Sequence, residues 1–278
     1  MGDNMNQHIN IGDQLTLDIK RMGINGEGIG YHNKLAIFVD HALPHETVDI
    51  EITEVFENRA VGQLINIHQK HPKRATPFCP VYETCGGCQL QHLEYKETLV
   101  HKRDILVKAF ERYSGQSVDY KKIKKTIGAE SPMFYRNKAS LPVQKIKLKN
   151  YFGMYARNSN QFIKIDECPV QHPLINQVLK TIVSLMDELG VHAMDYKTKR
   201  GYVRSLVVRT TDDEKEVQVS FVMMQRSNRL EELVKRLVDV EPKVTSVFEV
   251  INKDLKKPGY FTDEMRLLFG NETIEATL

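Results

Sequence analysis

The four cysteines of this chain are Cys79, Cys85, Cys88 and Cys168, in the contexts FCPVYETCGGC and DECPV. Three of them fall within ten residues, with Gly86 and Gly87 between the last pair. Thiols crowded in this way into a polar segment converge on metal, either an iron-sulfur cluster or a zinc ion. Such a site would pin the loop Cys79 to Cys88 against the strand around Cys168, a stronger constraint on the fold than any local periodicity. All-thiolate zinc sites usually pair two Cys-x2-Cys units. Only Cys85 and Cys88 have that spacing, which favours iron-sulfur and leaves zinc as the alternative. The two glycines leave room for backbone amides to approach sulfur and stabilise its charge.

Two disulfides would be the other use of four cysteines. The N-terminus MGDNMNQHINIGDQ has neither a basic start nor an apolar stretch, so no secretory signal is visible and a reducing, cytoplasmic setting is expected. With 41% hydrophobic residues and no long uncharged apolar run, a soluble protein with no membrane partner is expected. The 278 residues suffice for one large or two modest domains, each with its own core.

The net charge of +3 hides an uneven distribution. Between Tyr120 and Asn150 lie Lys121, Lys122, Lys124, Lys125, Arg136, Lys138, Lys145, Lys147 and Lys149 against the lone acid Glu130. Phe134, Tyr135, Tyr151, Phe152 and Tyr155 are interleaved with them or follow directly. Cations that neutralise phosphates beside rings on which bases stack are the footprint of single-stranded nucleic-acid binding. A solvated lysine-rich face is the plainer alternative. Within the stretch, Arg136, Asn137 and Lys138 put a fork donor, an amide and an ammonium in a row, able to grip phosphate and base edge together. Phe134 and Tyr135 adjoin them, and Lys73 and Arg74 are generic phosphate binders. Arg204 and Arg209 sit five apart on one strand and so point to opposite faces, which predicts that one of them is structural.

The first 70 residues read as an all-β unit. Strands are expected over Gln14 to Met22, Leu35 to Asp40, Val48 to Val55 and Ala60 to Gln69, bounded by turn formers. This suits an OB-like barrel, a shape that often binds nucleic acid. The series Gly23, Gly26, Gly28, Gly30 is followed by the strand LAIFVD and not by a helix, so it reads as a hairpin turn and not a dinucleotide loop. His68 to Pro80 is a proline-punctuated linker. From Leu90 an amphipathic helix is expected, with Leu99, Leu106 and Phe110 inward, packed against whatever the cysteines hold, and His101, Lys102, Arg103 and Lys108 on its wet face. Residues 71–278 then read as an α+β domain with two or three helices on a sheet. Its strands are expected over Tyr135 to Val143, Tyr151 to Ala156, Val203 to Arg209, Glu216 to Met223 and Thr245 to Ile251. One helix is expected from about His172 to Leu189, stopped by Gly190, and another from a capping box at Asn228 and Glu231. ETIEATL has strand character to the last residue, as if the chain were cut within an element.

Cys79-x5-Cys85-Gly-Gly-Cys88 with Cys168-Pro169, after a β-unit of about 60 residues, resembles the RNA (uracil-C5) methyltransferases that contain a 4Fe-4S cluster. Ile9 to Gln69 looks like that family's N-terminal TRAM domain. Tyr135-Arg136-Asn137-Lys138 and Arg204-Ser205-Leu206-Val207-Val208-Arg209 resemble stretches of its central domain. The resemblance implies that Cys79, Cys85, Cys88 and Cys168 are the cluster ligands and that the partner is RNA. The TRAM-like domain further implies the branch acting on 23S ribosomal RNA. It also implies an S-adenosyl-L-methionine-dependent enzyme in which a cysteine adds to uracil C6 before methylation at C5. Members carry the nucleophile and the cofactor site in a Rossmann-like domain that finds no match here, so the chain is expected to be an N-terminal part, inactive alone. A self-standing RNA-binding protein with a structural or redox-sensing cluster is the alternative, and a ferredoxin-like carrier fits poorly. Nothing in the sequence demands more than a monomer.

Overall fold

The computed structural model describes residues 9–211, 213–254 and 260–276. They form two compact units, Met1–Phe78 with Cys88–Glu130, and Cys79–Gly87 with Ser131–Leu278.

In the first unit the expected strands appear as β1 (Gln14–Asp18), β2 (Arg21–Met22), β4 (Leu35–Val39), β5 (Thr47–Phe56) and β6 (Arg59–Gln69). One was missed. Gly28–His32 is β3, paired antiparallel with β4 across the two-residue turn Asn33-Lys34, where both residues have positive φ. The glycine series therefore supplies a strand as well as a turn. A Cβ on Gly28 would lie 2.7 Å from the carbonyl oxygen of Ala42, so only glycine admits this close approach. Sheet order is β1-β5-β6-β4-β3-β2, with β4 and β6 parallel and the other pairs antiparallel. The unit is thus a mixed sheet and not a simple barrel. Its core comes from period-2 alternation, Val48, Ile50 and Ile52 of β5 pointing in with Leu17, Ile37 and Val39.

The expected boundary at residue 70 does not describe this unit, because helix α1 (Tyr95–Ser114) and the chain up to Glu130 group with it. Leu93 and Leu90 pack with Met22 and Leu43 in a second small core, and Arg74 bridges to Leu93. The helix ends at Gly115 in the left-handed conformation, its N–H bonded to the Glu111 carbonyl. The expected inward face is not the buried one. Thr98 and Val107 are buried, whereas Leu106 and Phe110 are about half exposed. Arg103, expected on the wet face, instead donates to the carbonyls of Tyr120 and Ile123 and stacks 3.8 Å from the Tyr120 ring. Tyr95 Oη accepts from the amide of Ala129 at 2.8 Å. Polar anchors to the returning segment, more than an apolar stripe, set how this helix lies.

The second unit holds β7 (Lys138–Ile146), β8 (Lys149–Tyr155), β9 (Phe162–Lys164), β10 (Val203–Thr210), β11 (Val217–Met223), β12 (Val244–Ile251) and β13 (Met265–Gly270). They form one mixed sheet in the order β13-β12-β11-β10-β7-β8-β9, with only β11 and β12 parallel. Helices α2 (Pro173–Leu189) and α3 (Leu230–Val240) pack against it. Ile175, Val178, Leu179, Ile182 and Met186 of α2 recur at helical spacing and are fully buried, each worth roughly 1.5–3 kcal/mol. The α2 start is set by His172, whose Nδ1 accepts from the Leu174 amide, with Pro173 at the first helical position. Gly190 ends it as expected, at φ 64°. The capping box at Asn228 does not form: Arg229 occupies the cap position without a side-chain bond to the helix. The last strand is Met265–Gly270, and residues 271–276 are not strand, so ETIEATL is misread as far as it is described; Thr277 and Leu278 lie outside the described residues. The strand signal lay one step earlier, in MRLLFG.

Candidate nucleic-acid interface

The cysteine loop of the second unit is built from turns. Tyr82 and Cys85 donate backbone N–H groups to the carbonyls of Cys79 and Val81. The Gly86 amide then bonds to the Tyr155 carbonyl at the end of β8, at 3.1 Å, where a Cβ would meet that oxygen at 2.9 Å. The Gly87 amide points at Cys85 Sγ, 3.4 Å away. Cys168 is held by a residue that sequence reasoning missed. Asn176, buried on the first turn and a half of α2, accepts from the Cys168 amide and donates to its carbonyl, both at 3.0 Å. Cys85 and Cys168 are partly buried against the same apolar core. Cys88 follows Gly87 in the chain and groups by its contacts with the first unit. Among the described residues no three His, Cys, Asp or Glu side chains are arranged to hold a metal ion. The donor set, four thiols, suits iron-sulfur chemistry.

The segment carrying Phe134, Tyr135 and Arg136 is brought directly beside Cys168. Phe134 and Arg136 donate backbone N–H groups to the Pro169 and Val170 carbonyls, and His172 donates to the Arg136 carbonyl, all at 2.9 Å. Phe134 has φ 59°, a left-handed conformation uncommon for an aromatic residue. Tyr135 is 57% exposed, with the Arg136 guanidinium 5.9 Å from its ring centroid. The Asn137 carbonyl accepts from Thr210. Lys138 opens β7, directly opposite Arg209 of β10, and both are exposed. Like charges facing each other across strands are unfavourable unless an anion lies between them. Arg204, in contrast, donates to the carbonyls of Asn252 and Asp254 and is structural, as expected for one of the pair.

The basic stretch is divided between the two units. Lys121, Lys122, Lys124 and Lys125 belong to the first unit, and Arg136 through Lys149 to the second. In the second unit Lys145, Lys147 and Lys149 surround the tip of the β7–β8 hairpin, whose two-residue turn is Lys147-Leu148. Tyr151 lies beyond Lys149 on one face, and the Lys164 ammonium sits 4.5 Å over its ring. On the other face Asn150 is buried and accepts from the Ala193 amide at 2.8 Å. His192 is held below its ordinary pKa by burial and then by the Lys145 ammonium. Leu148 and Lys164 carried no signal in the sequence, because neither stands out until the strands are paired.

Arg74 corrects the reading of the linker. Its Nε and Nη2 donate to the two carboxylate oxygens of Glu46 at 2.6 and 2.7 Å, and Nη2 also reaches the His41 carbonyl. The Glu46 side chain is fully buried and that of Arg74 is 17% exposed. Burial alone would raise the Glu46 pKa, but Arg74 and the amides of His71 and Leu43 outweigh it and hold the carboxyl below its usual range. A guanidinium spent in this way is not a phosphate binder. Lys73 is exposed, 3.2 Å from Glu94.

No helix among the described residues is long and apolar enough to cross a membrane. Residues 10–65 match the TRAM domain. The chain is 39% identical over 270 residues to an uncharacterised RNA methyltransferase of Enterococcus faecalis, covering 97% of this chain and 59% of that protein. It is 38% identical to one of Bacillus anthracis, with the same coverage. The crystal structure of Pyrococcus abyssi tRNA (uracil-54, C5)-methyltransferase in complex with S-adenosyl-L-homocysteine shares the fold, with a TM-score of 0.66 and 22% identity over 95% of this chain and 57% of that one. The chain thus spans about three-fifths of the length of these relatives. Residues 10–65 are therefore a TRAM domain, in a chain that is similar along nearly all its length to proteins named RNA methyltransferases.

Proposed function

We propose that this chain is the RNA-binding and substrate-positioning part of an S-adenosyl-L-methionine-dependent RNA (uracil-C5) methyltransferase acting on 23S ribosomal RNA in the cytoplasm. The observation that carries the reading is the surface of the second unit, where Tyr135, Arg136, Lys138 and Arg209 adjoin the Cys168 loop in a chain so similar to RNA methyltransferases.

C5 of uracil is a poor nucleophile until a thiolate adds at C6 and generates an enolate, which takes the methyl group from a sulfonium. A base reacting in this way has to leave its stack. On this reading Lys138 and Arg209 neutralise a phosphate, Tyr135 and Tyr151 offer stacking faces, and the TRAM domain holds flanking RNA. On this reading Cys79, Cys85, Cys88 and Cys168 would hold a 4Fe-4S cluster with no redox turnover, since methyl transfer moves no electrons to or from it. All four thiols being ligands, none of them is the nucleophile, and no methylation is expected from these residues alone.

Two measurements test this. Anaerobically purified chain is expected to show the broad visible absorption of thiolate-ligated iron-sulfur, with iron and sulfide in equal amounts, lost in Cys85→Ser. A colourless protein with one zinc would overturn the cluster. Fluorescence anisotropy is expected to show tighter binding to uridine-containing 23S fragments than to transfer RNA, and the reverse order would overturn the ribosomal assignment.

A further inference from the structure

We infer that the β7–β8 hairpin is an RNA wedge, in which Leu148 inserts against a base at the end of an RNA helix while Lys145, Lys147 and Lys149 hold the phosphates around it. The inference rests on the RNA-binding reading above and adds to it a site and a task.

Leu148 is 84% exposed at the apex of the hairpin, in the two-residue turn closed by Ile146 and Lys149. An isolated exposed leucine is ordinary. This one has Lys147 beside it in the turn and Lys145 and Lys149 on the two adjoining strands. Strand alternation puts Lys145 on the face of the buried Val143 and Phe152, and Lys149 on the opposite face with Tyr151. Lys147 occupies the turn itself. Its φ is 58°, in the left-handed region where a hairpin turn ordinarily uses glycine or asparagine. The backbone thus keeps an exposed cation, and not a glycine, at the tip.

The hairpin is also braced. Asn150, next to the tip, donates from its amide N–H to Asp187 Oδ1 at 2.8 Å and from its side chain to the same oxygen at 2.6 Å, and accepts from Ala193. This ties the hairpin, beside its tip, to the end of α2. A wedge has to be stiff, because a tip that folds back separates nothing. Apolar side chains inserted between base steps unstack them, and flanking cations hold the deformed backbone.

The probe is a stem–loop RNA carrying 2-aminopurine in its closing base pair, whose fluorescence rises when the base leaves the stack. Wild-type full chain is expected to raise the fluorescence on binding. Leu148→Ala is expected to bind about tenfold more weakly and, at saturating protein, to lose most of the rise, while Leu148→Met restores it. Lys149→Ala is expected to weaken binding to all RNAs alike and to lower the salt dependence without changing the fluorescence at saturation. The wedge is overturned if wild-type protein binds without a rise, or if Leu148→Ala at saturation gives the wild-type rise. Absence of any RNA binding by wild-type protein would overturn the RNA reading together with the wedge.

Discussion

Arg74 and Lys147 are both cations in stretches whose sequence suggests phosphate binding, and the molecule uses them in opposite ways. Arg74 lies in a polar knot of the first unit, its guanidinium closed on the buried Glu46 and capped by the His41 carbonyl. His92 is buried in the same region, its ring 5.8 Å from that of His41. Lys147 stands in the second unit at the tip of a hairpin, in a strained turn. The first cation is structural because its charge is matched where water is excluded. The second keeps its charge in water, where a polyanion can reach it. Basic composition alone does not separate the two; burial does.

The largest expected effect breaks the buried side of this comparison. Arg74→Ala leaves the Glu46 carboxylate buried without its ion partner, and urea unfolding should show a loss of about 3–5 kcal/mol. A loss below about 1 kcal/mol would place Arg74 with the surface cations. Next comes pH. His92 is pushed down to about 3, first by burial and then by the Arg74 charge. The unfolded chain therefore binds a proton at this residue below its ordinary value of 6.5 while the folded chain does not. Stability from this source is complete above pH 6.5 and falls as pH drops toward 3, by about 1.4 kcal/mol per unit. Glu46, with a depressed pKa, adds to the loss only below its ordinary 4.5. Between pH 6 and pH 5, the wild-type slope should exceed that of His92→Leu by about that amount, and equal slopes would mean that His92 is solvated. The smallest effect is on the exposed side. Lys147→Gly relieves the left-handed strain and should stabilise the protein by up to about 1 kcal/mol while weakening RNA binding; stability falling together with binding would make the residue structural.

Much of the sheet architecture was legible in the residues. Val48, Ile50 and Ile52 alternate as a half-buried strand must, and Ile175, Val178, Leu179 and Ile182 recur as a buried helix face must. Pro173 and Gly190 mark the ends of that helix for local reasons that need no tertiary context. Less legible was anything set by partners far apart in sequence. The strand Gly28–His32 is rich in glycine, and its reason is close packing against Ala42 and Ile19. The inward face of α1 was misjudged because Arg103 and Tyr95 anchor it through polar bonds to residues 120–129, which no periodicity records.

The candidate site divides along the same line. The cysteine spacing and the run Phe134 to Lys138 were legible as candidates from sequence, since close thiol spacing and cation–aromatic mixing are properties of composition and order. Asn176, which fixes Cys168 from both sides, and the cross-strand pair Lys138 and Arg209 emerged only from the structure. The sequence by itself determined the strand and helix periods, the helix stops and the close spacing of three of the four cysteines and of the basic residues along the chain, because these depend on neighbours within a few residues. Tertiary structure alone decided which cations are buried in ion pairs and which meet solvent, and which residues brace the cysteine loop and the hairpin, because burial and pairing depend on groups brought together from distant parts of the chain.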